Sequence, residues 1–195
     1  PGLSFNAVSE KALAASKANA SLRSYWDWHE MIAINKLGTF PYTPATNLLF
    51  ALKEAIAMLE EEGLDKVWIR HLRHGAATRA AVKAWGLDLV CLDPHAYSPA
   101  LTAVMVPDGH DADAFRNLAL ETFNISYGAS FGPYAGKYFR IGHLGDVNEG
   151  MQIGALGITE MALSLAGIPH KKGGAQAAID YLASEGGEVL PLGHR

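Results

Sequence analysis

The sequence predicts an α/β fold, and three observations lead to that prediction. Segments typical of strands and helices alternate from about residue 87 onward, which favours a small α/β layer structure. Nearly half of the chain (49%) is apolar and 18% is charged, so the chain can bury a core and does not belong to the disordered class. Its 195 residues suit one ordinary domain or two small ones.

The first third of the chain is predicted to be incomplete by itself. Residues 3–8 are typical of a short strand, and Ser9 starts a helix behind it. No second strand follows nearby, so we expect the sheet neighbours of this segment to come from elsewhere. Residues 21–44 combine aromatic with turn-forming residues, which predicts a long irregular connection of the kind that serves a function or packs on a partner.

Two helices are predicted next. Thr43 is the expected N-cap with Pro44 at the first helical position, and Gly63 ends this helix. The second helix runs from about residue 65 to residue 85 and closes at Gly86. Its predicted buried stripe consists of Ile69, Leu72, Ala76 and Ala80.

The remaining elements alternate along the chain. The predicted strands are 87–92, 101–106, 125–127 and 137–141, and a helix occupies 111–123. The final predicted helix starts at Asp146, which stands at capping-box spacing from Glu149, and stops at Gly167. Residues 171–195 show no pattern that we interpret, and we assign them as a tail.

Composition and charge exclude several classes of protein. A net charge of −4 and a pI near 6.1 argue against nucleic-acid binding, which normally needs a basic face. The single cysteine, Cys91, excludes a disulfide framework and is expected to be a small buried residue of a strand. Because the longest apolar stretch, 151–168, contains Glu160, no membrane span is expected. We therefore expect a soluble, cytoplasmic protein.

The segment 40–46 (FPYTPAT) offers hydroxyl groups beside a helix N-terminus. Tyr42, Thr43 and Thr46 supply these hydroxyls, and the unpaired N–H groups of a helix start attract phosphate and other anions. The alternative is that Thr43 is only a cap and Tyr42 only packs.

A second candidate site lies in the segment 132–145 (GPYAGKYFRIGHLG). Arg140 stands at the end of an apolar strand, and the glycines that follow allow a ligand to approach. A guanidinium group can bind a carboxylate at two points, which a lysine cannot do. The alternative is an arginine that pairs with a structural acid or points into solvent.

The segment 71–74 (HLRH) places two histidines on one helix face. Histidines three residues apart can hold a metal ion, but no third ligand stands at a telling spacing. Neighbouring arginines would also repel a cation. We therefore expect His71 and His74 to belong to a solvated basic face.

Together, the segments 40–46 and 132–145 resemble the C-terminal half of a class V, fold-type I pyridoxal-phosphate aminotransferase. The branch they resemble most includes the serine–glyoxylate and alanine–glyoxylate aminotransferases. The resemblance covers roughly residues 1–170. It implies the end of the large cofactor-binding domain and a linking helix in 1–63, a small C-terminal α/β sandwich domain in 64–170, and a tail in 171–195.

The resemblance also implies roles for individual residues. Arg140 would hold the α-carboxylate of a small amino acid or oxo acid substrate. Thr43 would reach the phosphate of pyridoxal 5'-phosphate in the neighbouring subunit of a homodimer, so that the active site is shared. An aromatic hydroxyl used by some relatives falls at Phe40, which has none, and Tyr42 is the replacement we expect.

The resemblance places the Schiff-base lysine ahead of the segment 3–8, and no lysine of this chain stands in that context. Since the chain also starts without methionine, at Pro1, we expect it to be a fragment that does not transaminate by itself. The expected parent activity is amino transfer from serine or alanine to glyoxylate. The alternatives are a non-catalytic binding or assembly domain and another class V reaction, such as aspartate–glyoxylate transfer or desulfuration.

Overall fold

The computed structural model describes residues 2–184. The chain divides between Glu62 and Gly63 into two compact units. In the first unit lie the helices α1 (Glu10–Ala18), α2 (Trp28–Asn35) and α3 (Thr46–Glu62). The second unit contains α4 (Leu64–Trp85), β1 (Leu101–Met105), α5 (Ala112–Phe123), β2 (Tyr138–Gly142), α6 (Glu149–Leu165) and α7 (Gly174–Ala183).

In the first unit, side-chain caps start the two short helices. The Ser9 hydroxyl accepts a hydrogen bond from the Ala12 N–H at 3.2 Å, which confirms the predicted start of α1. Asp27 accepts from the His29 N–H at 2.9 Å and caps α2. The prediction of an irregular connection over 21–44 is therefore wrong in part, because a local cap at Asp27 allows a helix within it.

The strand predicted at 3–8 is absent from the structure, in which these residues form no ladder with any described residue. A strand needs a neighbour whose backbone groups pair with its own, and nothing in residues 2–62 supplies one.

The start of α3 differs from the prediction as well. The first bond inside this helix runs from the Leu49 N–H to the Ala45 carbonyl at 3.0 Å. Because the N-cap is the residue whose carbonyl accepts that first bond, the cap is Ala45. The prediction that Thr43 is the cap is wrong, and Thr43 lies two residues ahead of it.

The first unit lacks a core of its own. Within residues 2–62 no residue is buried, and several large apolar side chains are largely exposed: Phe5, Leu22, Trp26, Leu37 and Phe50. A folded unit normally gains its stability by removing such side chains from water. The apolar surface of this unit is thus larger than its own helices can cover.

The core of the second unit forms around a two-stranded antiparallel sheet. In its register Ala103 faces Arg140 and Val104 faces Phe139. Val104 and Phe139 are fully buried, and the Phe139 ring lies 4.5 Å from that of Phe115 on α5. The helix predicted at 111–123 is confirmed, because Asp111 caps α5 by accepting from the Asp113 N–H at 2.8 Å.

Two of the predicted strands do not form. The strand predicted at 87–92 is reduced to a bridge between Leu89 and Val104. Residues 125–127 form no strand, and the bridge to Arg140 is made by Gly128, directly after them. Cys91 lies outside any strand and is half-buried rather than buried. Local apolar pattern does not fix these extents, because pairing depends on distant partners.

The helix α4 confirms the predicted range and closes at Gly86, which has a φ of 75°. The predicted buried stripe is wrong, however, since Ile69 is exposed. The buried face of α4 carries Val67, His71, His74, Gly75, Ala77, Thr78, Ala81, Val82 and Trp85. A prediction based on apolar side chains misses this face because three of its members are polar.

The C-terminal part of the described chain differs from the prediction in two ways. The cap of α6 is Asn148, whose side chain accepts from the Met151 N–H at 2.9 Å, and not Asp146. The predicted tail at 171–195 contains the helix α7, and residues 185–195 of it lie outside the described residues. Within the described part, no helix is long and apolar enough to cross a membrane.

The Glu160 carboxylate and a close contact between Gly174 and Trp85 hold α7 against the rest of the second unit. Glu160 accepts hydrogen bonds from Trp85 Nε1 at 2.8 Å, from the Gly173 N–H at 2.8 Å and from the Ala175 N–H at 3.1 Å. Burial raises the pKa of Glu160, but these bonds outweigh burial and hold the pKa below its usual value. At Gly174, an added Cβ would collide with the Trp85 indole ring.

We predict that Gly174→Ala destabilises the protein by about 1–3 kcal/mol, because the new methyl group overpacks a rigid indole ring. Chemical denaturation measures this change. The matched control is Gly157→Ala on α6, where an added Cβ meets nothing within 4 Å and helix propensity alone should stabilise by about 0.5–1 kcal/mol. Equal effects of the two substitutions would contradict the proposed contact.

Candidate functional site

The strand β2 presents Arg140 on the face opposite to the core. Its neighbours Phe139 and Ile141 are buried, whereas Arg140 is half-buried. The backbone of Arg140 pairs with that of Gly128 through two hydrogen bonds, each 3.0 Å long. Arg140 is therefore fixed on both sides, by Ala103 in β1 and by Gly128 in the loop before β2.

Three neighbours hold the guanidinium group in place. Arg140 Nε donates to the Ala129 carbonyl at 2.9 Å, and the Cζ atom lies 4.4 Å from the centroid of the Phe131 ring. An added Cβ at Gly128 would lie 2.8 Å from Arg140 Nε and 3.1 Å from Cζ. Only glycine at position 128 leaves room for this conformation of the arginine.

The two terminal nitrogens of Arg140 make no hydrogen bond or ion pair with any residue in 2–184. A guanidinium group that is fixed through Nε, with its outer edge open, can bind a planar carboxylate at two points. The structural alternative raised by the sequence, an arginine paired with an acid, does not occur among these residues.

The segment 40–46 lies in the first unit. The Tyr42 ring packs 4.8 Å from the Tyr25 ring, and Thr43 is exposed in the non-helical stretch ahead of α3. Since Ala45 has no polar side chain, no side chain of the described residues caps the N–H groups of Asn47 and Leu48. The start of this 17-residue helix therefore keeps donors for an anion.

The two histidines predicted to lie on a solvated basic face are buried instead: His71 is 8% exposed and His74 is 0% exposed. The prediction is wrong because His71 meets polar backbone groups inside the protein. Its Nδ1 atom lies 2.7 Å from the Val67 carbonyl, and its Nε2 atom accepts from the Gly145 N–H at 3.0 Å. This pair of contacts fits a neutral ring with the proton on Nδ1.

The second histidine, His74, has no hydrogen-bond partner for either ring nitrogen among the described residues. Burial lowers its pKa, although Glu149, 4.0 Å from Nε2, acts in the opposite direction. That carboxylate is paired with Arg73 at 2.7 Å. No group of metal-ligating side chains occurs within residues 2–184.

A third buried histidine, His143, has a role that no pattern in the sequence indicates. Its Nδ1 atom bonds the Pro99 carbonyl at 3.0 Å, and its Nε2 atom bonds the Thr102 hydroxyl at 3.0 Å. These bonds connect the segment that follows β2 in the chain to β1 and to the turn that precedes β1. Burial lowers the pKa of His143 to about 4.

No protein-family model matches the chain. Individual relatives do. The chain is 44% identical over 185 residues to a serine–glyoxylate aminotransferase of Hyphomicrobium methylovorum, and the match covers 93% of this chain and 46% of the relative. It is 43% identical to a serine–glyoxylate aminotransferase of Arabidopsis thaliana, with the same two coverages.

A solved structure extends the likeness to the fold. The pyridoxamine–pyruvate aminotransferase of Mesorhizobium loti superposes with a TM-score of 0.80 at 33% identity, over 90% of this chain and 46% of that one. Over most of its length the chain is thus similar to class V aminotransferases. Its fold is part of the fold-type I architecture of pyridoxal-phosphate-dependent enzymes. The chain spans about half the length of the curated aminotransferases it matches.

We predict that acid destabilises this chain through His143. Its pKa is about 4 in the folded chain, against an ordinary value of 6.5, so only the unfolded chain takes up a proton between these values. Stability is therefore complete above pH 6.5 and falls as the pH drops towards 4, by at most about 3 kcal/mol. Denaturant unfolding at a series of pH values measures the loss.

The control for this prediction removes the titrating ring. His143→Gln should reduce the pH dependence between pH 4 and 6.5 and leave the part that the buried His74 contributes, whereas His95→Gln, which changes an exposed histidine, should leave the wild-type profile. Identical profiles for wild type and His143→Gln would show that His143 does not carry the effect.

Proposed function

We propose that this chain is part of a pyridoxal-phosphate-dependent aminotransferase that moves an amino group from a small amino acid, serine or alanine, to glyoxylate. The observation that carries the proposal is the open outer edge of the Arg140 guanidinium group, held by Ala129 and Phe131. Serine is the favoured donor, because the relatives at 43–44% identity are serine–glyoxylate aminotransferases.

Arg140 would bind the α-carboxylate that amino acid donors and oxo acid acceptors share. Two parallel N–H···O bonds fix both the position and the rotation of a carboxylate. The bond from Nε to the Ala129 carbonyl prevents the guanidinium group from turning with the ligand. Arg140 would thus present every substrate in one orientation, and such orientation contributes strongly to rate.

The cofactor would bind through its phosphate to the segment 40–46. The donors there fit a phosphate group: Thr43 and Tyr42 carry hydroxyls directly ahead of α3 in the sequence, and a helix N-terminus favours negative charge. When bound, pyridoxal 5'-phosphate supplies an electron sink next to the substrate. The part of this chain is to bind the phosphate and to orient the carboxylate.

The enzyme would be a homodimer in which Thr43 serves the cofactor of the partner subunit. The exposed apolar side chains of the first unit, among them Phe5, Leu22 and Phe50, support a surface that is covered in the assembled protein. The lack of any buried residue in 2–62 supports the same conclusion.

We predict that Arg140→Lys raises KM for every amino acid and oxo acid substrate by about 10–100-fold, since one charge-assisted bond of about 1.5–3 kcal/mol is lost. Steady-state kinetics of serine–glyoxylate transfer by the product of the gene that encodes this chain measures the change. An unchanged KM would remove Arg140 from the site.

The matched control for Arg140→Lys is Arg73→Lys. Among residues 2–184, the Arg73 guanidinium bonds Glu149 and the Leu182 carbonyl, so its replacement should leave KM near the wild-type value. A similar rise in KM for both variants would indicate a general loss of structure.

We predict that Thr43→Ala weakens cofactor affinity about 10–100-fold, since a hydrogen bond to a charged phosphate is lost, and leaves KM for serine nearly unchanged. Fluorescence titration of the apoenzyme with cofactor measures the affinity. Thr122→Ala, at an exposed position on α5, is the control. If Thr43→Ala and Thr122→Ala bind cofactor equally well, Thr43 is not a phosphate ligand.

A further inference from the structure

An exposed aromatic ring lies against the Arg140 guanidinium group, with Arg140 Cζ over the face of the ring. Phe131 is 62% exposed, so its position owes little to burial in a core. Its ring centroid lies 4.4 Å from Arg140 Cζ, well inside the range in which a cation is attracted to a ring face.

The loop that carries this ring is closed by two side chains. The Phe131 N–H donates to the Tyr138 hydroxyl at 3.2 Å, and the Gly136 N–H donates to the Ser130 hydroxyl at 2.8 Å. Directly after Phe131, Gly132 has a φ of 57°, and a short 3₁₀ turn runs over Gly132–Tyr134. The backbone therefore sets where the ring stands before any ligand arrives.

The contacts of Arg140 restrict the guanidinium group from several sides. The Ala129 carbonyl occupies Nε, a Cβ at Gly128 would lie 3.1 Å from Cζ, and Cζ stands over the Phe131 ring. The two terminal nitrogens bond no residue in 2–184 and are therefore donors left for a ligand. A carboxylate is planar and binds such donors in the guanidinium plane.

We propose that Phe131 is a positioning residue that orients Arg140 for in-plane binding of small carboxylates. The inference rests on the proposed function in one respect, that Arg140 is the carboxylate ligand. Phe131 acts by restricting the guanidinium group in the free protein, so that fewer rotamers are lost when a carboxylate binds.

Variants at position 131 separate the π face from simple apolar bulk. Phe131→Leu keeps an apolar side chain without a π system, Phe131→Ala removes both, and Phe131→Tyr keeps the ring. The matched control is Tyr134→Ala, which removes another exposed ring from the same loop (54% exposed). Thermal unfolding of each variant establishes that the chain is folded.

In the experiment, acetate is titrated into the full 195-residue chain at constant ionic strength. The NMR signal of the Arg140 Nε–H group reports binding at each acetate concentration. We expect acetate to bind the Ala and Leu variants about two- to fivefold more weakly, which corresponds to the strength of an exposed cation–π contact. Phe131→Tyr and Tyr134→Ala should bind as the wild type does. A purely structural role would not produce rescue by tyrosine.

Two results would overturn the inference, and only one of them would also contradict the proposed carboxylate-binding role of Arg140. If acetate binds wild type, Phe131→Leu and Phe131→Ala with equal affinity, the positioning role is wrong while Arg140 remains a carboxylate ligand. If acetate does not perturb the Arg140 signal even in the wild type, both the positioning role and the carboxylate role of Arg140 fall.

Discussion

Hydrogen bonds from the buried face of α4 set the positions of the elements around it in the second unit. His71 accepts from the Gly145 N–H, Thr78 accepts from Gln152 of α6, and Trp85 donates to Glu160. A buried polar group is costly when it has no partner. Each bond therefore specifies which residue must stand opposite α4. Apolar contacts alone would allow more alternative arrangements.

The strand that carries Arg140 depends on this frame at its C-terminal end. The loop after β2 is tied to α4 through His71 and Arg70, which donates to the Gly145 carbonyl at 2.7 Å. His143 ties the same stretch to the turn before β1. Arg140 lies three residues before His143. The strand β2 is therefore anchored beyond its C-terminal end by these polar contacts, and Phe139 holds its middle in the core. Such support is what a binding residue needs to keep its geometry.

Local signals in the sequence were enough to predict a helix end where a single capping residue determines it. Ser9, Gly86 and Asp111 mark helix ends correctly, because capping depends on a few adjacent groups. Elements that depend on distant partners could not be predicted in this way. The isolated bridges at Leu89 and Gly128 owe their short extent to what lies across the sheet.

The candidate site was likewise predictable only in part. Arg140 could be singled out because an arginine among glycines suggests a ligand, and the likeness to aminotransferases implied a role for it. The contributions of Gly128 and Phe131 depend on close approaches of 2.8 Å and 4.4 Å that no spacing reveals. The burial of His71 and His74 was missed since it depends on what packs against α4, such as the Gly145 backbone, 74 residues further along the chain.

The alternation of side chains along β2 has a consequence for the accuracy of folding. Phe139 and Ile141 point into the core while Arg140 lies on the other face. A slip of one residue in the pairing with β1 would exchange these faces, sending the guanidinium group into the apolar interior and the Phe139 ring into water. Such a misaligned strand pair would carry the cost of an unpaired buried charge. The residue proposed to recognise substrate thus also disfavours the nearest wrong structure, so that selection for ligand binding and selection for a unique fold act on the same side chain.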